Sequence, residues 1–136
     1  MKHSKSGLFL MEFIIVLLFF SLASTICVRL FVKSATLSRD TVDLTYAVTQ
    51  AQNLAEGFLA SDGDPVQMLE NFPQLVAAGD SCLLLAENEY ISIINFSAGE
   101  NGLILGNIAI YPKDSSESIY TLQVQRYVPE RRVTNE

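Results

Sequence analysis

Glu12 is the only charged side chain in the 21-residue run Leu8 to Val28, LFLMEFIIVLLFFSLASTICV, whose other residues are apolar or carry a hydroxyl or thiol. A carboxylate in a membrane segment costs roughly 2.5–3.5 kcal/mol on insertion scales, so it marks a functional position. Its chemistry is that of an anion waiting for a cation. No other grouping of residues points to a reaction. The one histidine is His3. The chain has no phosphate-binding glycine loop, no metal-ligand spacing and no nucleophile–base signature. A non-enzymatic protein without cofactor or metal is expected.

The element that must position Glu12 is a helix. An α-helix over the run rises about 1.5 Å per residue, roughly 31 Å, enough to cross a bilayer core. A short basic leader, MKHSKSG, precedes it. The 136 residues suit one such anchor plus one small domain. Five basic residues against 14 acidic ones from Ser34 onward leave the distal part at −9. That balance repels phosphate backbones, so no direct nucleic-acid binding is expected. Arg126, Arg131 and Arg132 read as a solvated basic C-terminus. Cys27 and Cys82 lack metal or redox spacing and read as small buried hydrophobes.

Three readings of the N-terminus compete. A secretory signal peptide could be cut after Ser21-Leu22-Ala23, but the apolar run continues to Val32 with only Arg29 interrupting. A plain uncleaved anchor leaves Glu12 unexplained. The third reading uses the odd residues together: Gly7 ends the leader, and Glu12 follows five positions later inside the helix. In this, KSG-LFLMEFIIVLLFF resembles the class III leader of type IV pilins and pseudopilins. Leu8 stands where that family usually has phenylalanine, and Phe9 where it has threonine.

The resemblance implies that a prepilin peptidase cuts between Gly7 and Leu8, and that the new Leu8 terminus is N-methylated. It implies that Glu12 pairs with the terminal amine of a neighbouring subunit during assembly. The implied partners are that peptidase, other pilin or pseudopilin subunits, an assembly platform protein with its ATPase, and the membrane. The precursor would be a single-pass cell-membrane protein with an extracytoplasmic C-terminal domain, and would enter an extracellular filament. Lys2 and Lys5 on one side of the span and Arg29 and Lys33 on the other leave the positive-inside rule nearly balanced. The orientation therefore comes from the resemblance alone.

The helix pattern continues past the membrane. Leu30, Leu37, Leu44, Ala51 and Phe58 recur every seven residues, and no proline occurs between Leu8 and Ala60. The weak helix formers Ser34, Thr36, Ser38, Thr41 and Thr45 suggest a bend near 34–41. Leu44 to Phe58 read as the part of the stripe that a domain covers. Ser61-Asp62-Gly63-Asp64-Pro65 ends the helix. Asp62 and Asp64 read as caps rather than calcium ligands, with Gln67 completing a capping box for a short helix over 65–71.

The remainder reads as strands near 81–86, 90–96, 103–111 and 119–127, forming an antiparallel meander on the helix stripe. Tyr120, Leu122 and Val124 alternate with Thr121, Gln123 and Gln125. Asn95-Phe96-Ser97 matches a glycosylation sequon, which we read as chance. The expected fold is α+β, a long N-terminal helix on a small antiparallel sheet in a pilin-like arrangement. The expected segments are a leader (1–7), a transmembrane assembly helix (8–30), its amphipathic continuation (31–60) and a globular head (61–136). The functional expectation is a minor pilin or pseudopilin of a secretion, pilus or DNA-uptake filament. The alternative is a membrane-tethered extracytoplasmic binding module on an uncleaved anchor.

Overall fold

The computed structural model describes residues 5–129, and the architecture is α+β. The long helix α1 spans Lys5–Ala60 and a short helix α2 spans Pro65–Asn71. Five strands follow: β1 (Val76–Gly79), β2 (Cys82–Glu87), β3 (Tyr90–Ala98), β4 (Leu103–Pro112) and β5 (Tyr120–Tyr127). The chain divides into two compact units between Thr41 and Val42.

The first unit is the N-terminal part of α1, where every described residue is exposed. The helix runs unbroken through 34–41, where the sequence suggested a bend. Threonine hydroxyls along α1 bond back to carbonyls one turn earlier without interrupting it. Thr25, Thr36 and Thr41 donate to the carbonyls of Ser21, Val32 and Leu37, at 2.9, 3.0 and 2.8 Å.

In the second unit, residues 42–60 of α1 pack on a five-stranded antiparallel sheet of order β1-β2-β3-β4-β5. Each strand pairs with its sequence neighbour, so four hairpins make one meander. β1 is a strand the sequence did not signal. Its segment, VAAG, is too short and too exposed to show alternation, and it is recruited by pairing Val76 with Leu84 and Ala77 with Leu83.

The buried helix stripe is Ala47, Ala51, Leu54, Ala55 and Phe58. Three alanines in successive turns bring the backbone close to the sheet. Leu83, Leu85, Ile94, Ile108 and Ile110 close the core from the other side. Gly106 is needed there: a Cβ on it would lie 2.8 Å from the Phe58 ring. Phe58 also meets Phe96, with ring centroids 5.6 Å apart.

Leu44 departs from the expected stripe and is 46% exposed. Adjacent helix residues point about 100° apart, and at this turn Asp43 and Tyr46 contact the strands instead. Leu30 and Leu37 are exposed as well.

α1 closes in a Schellman motif. Gly63 N donates to Phe58 O at 3.0 Å and Asp62 N to Leu59 O at 3.3 Å, with Asp62 at φ 52° and Gly63 at φ 72°. Asp62 is thus a left-handed turn residue rather than a cap, and its carboxylate takes Arg126 at 2.8 Å. Arg126 belongs to β5, not to a solvated tail. Arg131 and Arg132 lie outside the described residues. Asp64 does cap α2, accepting from Val66 N at 3.0 Å. The capping box does not form, because the Asp64 amide donates instead to Ser61 O at 2.9 Å.

Candidate functional site

Gly7, Leu8 and Glu12 all lie on α1, and each is exposed along the chain. Leu8 and Glu12 are four residues apart, hence on one face about one turn from each other. Glu12 is flanked on that side by Leu8 and Val16, which are 74% and 57% exposed. Phe9 and Phe13 stack beside it with centroids 6.5 Å apart. Among the described residues Glu12 has no ion pair or hydrogen bond. A carboxylate on a lipid-compatible surface is either tolerated in its protonated form or paired with a cation from outside the described residues.

The helix that carries Glu12 is long and apolar enough to cross a membrane, with a mean hydropathy of 2.4 over its most apolar window. None of that window is buried by the rest of the chain. Its apolar side chains are therefore available to lipid or to other helices. Cys27 lies on this uncovered surface and is exposed, whereas Cys82, on the outer sheet face, is half-buried. Both are free thiols. The expectation that both are buried fails for Cys27, which is exposed, and Cys82 is only half-buried.

The head carries one polar constellation that the sequence did not announce. The Tyr90 hydroxyl donates to Asp43 Oδ1 at 2.5 Å. Tyr46 stacks on Tyr90 with centroids 4.3 Å apart. Glu87 Oε2 accepts from the Tyr46 hydroxyl at 3.4 Å and from Gln50 Nε2 at 3.5 Å. The bond to Asp43 holds the Tyr90 proton, helped by partial burial and nearby negative charge, and its pKa is pushed up to about 12. Burial, and then Glu87, raise that of Tyr46. The hydrogen-bonded partners lie 37 to 47 positions apart in the chain, so no local pattern could have linked them. Chemically this is a clasp between helix and sheet.

Beside the clasp, a groove of about 520 Å³ runs between α1 and the segment after α2, lined by Gln50, Asn53, Glu56, Gly57, Phe72 and Glu87 among others. Gly57 allows the Phe72 ring to seat there, since a Cβ would come within 2.6 Å of it. Among the described residues no group of three or more His, Cys, Asp or Glu is placed to hold a metal. Asn95 of the sequon is exposed on β3.

What the fold and site define is a class: a small α+β head carried on a helix able to span a membrane. No protein-family model, curated protein or solved structure matches the chain.

Proposed function

We propose that this chain is a structural subunit of a type IV filament system, a minor pilin or pseudopilin, assembled through α1. The observation that carries the reading is Glu12: a carboxylate without a partner among the described residues, five positions after Gly7, on an exposed apolar helix surface. Processing between Gly7 and Leu8 by a prepilin peptidase would create a terminal ammonium at the edge of the apolar segment. Methylation of the Leu8 nitrogen keeps that charge. A neighbouring subunit's ammonium then neutralises Glu12, and the pairing sets the stagger between helices. A helix bundle replaces lipid around residues 8–30, and a platform protein with its ATPase supplies the work of extraction from the membrane. The head, outside the membrane, forms the filament surface. The arrangement of a long helix carrying an antiparallel meander supports the same reading, being that of pilin heads.

The test is Glu12→Val in the producing cell. Removing the charge leaves membrane insertion equal or improved, and leader removal persists because Gly7 is intact. Intact-mass analysis then gives chains beginning at Leu8 for wild type and variant alike, while incorporation into sheared filaments falls sharply. Wild-type incorporation of the variant would overturn the registration role and favour a tethered binding module. A chain beginning at Ser24 would instead establish a secretory signal.

A further inference from the structure

The groove beside the clasp has a composition of its own. Its walls carry two carboxylates, Glu56 and Glu87, three primary amides, Gln50, Asn53 and Gln74, and the ring of Phe72, with no basic side chain. Gln50, Asn53 and Glu56 follow one another at three-residue spacing along one side of α1. Phe72 and Gln74 come from the segment after α2, and Glu87 ends β2. Gly57 keeps the wall open, because a Cβ there would collide with the Phe72 ring.

The carboxylates are uncommitted. Among the described residues Glu56 has neither an ion pair nor a hydrogen bond. Glu87 gives only Oε2 to the long contacts with Tyr46 and Gln50. The two basic side chains between residues 42 and 129 are engaged elsewhere, Arg126 with Asp62 and Lys113 with the Asn88 carbonyl. The walls do not suit a metal ion, since among the described residues no three ligating groups converge. They suit an organic cation. Ammonium or guanidinium hydrogens bond to carboxylate and amide oxygens, and an aromatic ring accepts both a methylene stem and the charge it carries. A volume of about 520 Å³ is that of a small-molecule site.

We infer that this groove binds an alkylammonium or guanidinium cation, with Glu56 and Glu87 holding the charge and Phe72 taking the apolar stem. A free polyamine and a lysine or arginine side chain carry the same chemistry, and the test separates the two. The inference stands on the head alone and does not depend on the role of Glu12.

The test is isothermal titration calorimetry on the full chain in detergent micelles at low salt. The probes are putrescine, a free diamine, and arginine capped at both ends, which stands for a side chain of another polypeptide. Butanol and magnesium chloride are the controls. At least one probe binds saturably, one per chain, and weakens as salt is added. The tighter of the two identifies the source of the cation. Glu56 is exposed, so Glu56→Gln keeps the fold and lowers the affinity about fivefold. Gln74→Glu adds a third carboxylate to the walls and raises the affinity by a similar factor. Asp80→Asn, an exposed carboxylate outside the groove, leaves it unchanged. Absence of saturable binding, equal binding of butanol, or displacement of the amine by equimolar magnesium would overturn the proposal. So would an equal loss in Asp80→Asn, since the attraction would then belong to the net charge of the head and not to the groove.

Discussion

Residues 5–41 and 42–129 use apolar side chains for opposite purposes. In the first region leucines and phenylalanines are exposed all around a helix, Leu8 at 74% and Phe31 at 82%. In the second, the side chains facing the sheet are small and few: three alanines, Leu54 and Phe58, each less than a tenth exposed. The apolar side chains of the first helix segment are exposed, whereas the modest stripe of the second is matched by a sheet. Hydrophobicity alone therefore does not locate the core. A matched surface does, and the first region's helix is long and apolar enough for a single membrane span to supply one.

The sharpest test of that contrast is a pair of phenylalanines. Phe58→Ala opens a void between α1, Phe96 and Gly106, and should cost the head about 3–5 kcal/mol. Phe20→Ala, on the uncovered region, should leave the thermal midpoint of the head unchanged. Circular dichroism melts of both variants in detergent compare them directly, and equal losses would break the contrast. A smaller effect belongs to Asp64→Ala. Loss of the 3.0 Å cap to Val66 should cost about 1 kcal/mol, read as a lower urea midpoint for the head. The smallest effect concerns the clasp. Tyr90 should ionise only near pH 12 in an ultraviolet absorbance titration. Its folded pKa lies above the unfolded value of 10.0. The contribution of the clasp is therefore whole below pH 10 and is lost as pH rises from about 10 to 12. Asp43→Asn should bring that late transition down toward pH 10.

Long, repetitive signals were legible. Helix α1, helix α2 with its Asp64 cap, and strands β2 to β5 follow from periodicity, proline placement and turn residues, with boundaries close to those expected. Alternation in β5 correctly separated Leu122 from Gln123. What escaped were features formed by pairing across the chain. β1 has no signal of its own and exists because β2 offers an edge. The seven-residue repeat of Leu30, Leu37 and Leu44 was real as a pattern, but it did not tell which of its members the head covers. The candidate assembly residues, Gly7, Leu8 and Glu12, are a local motif and needed only the sequence.

The sequence by itself determined that one helix would be long, apolar at its start and interrupted by a single carboxylate, because these properties depend on neighbours a few residues apart. It also determined a meander, since short turns join strands that pair in order. Tertiary structure decided which face of α1 is buried, and that Asp43 bonds to Tyr90 and Asp62 to Arg126. These outcomes depend on groups 47 and 64 positions apart in the chain. Only the fold brings such groups within the roughly 3 Å at which a hydrogen bond forms.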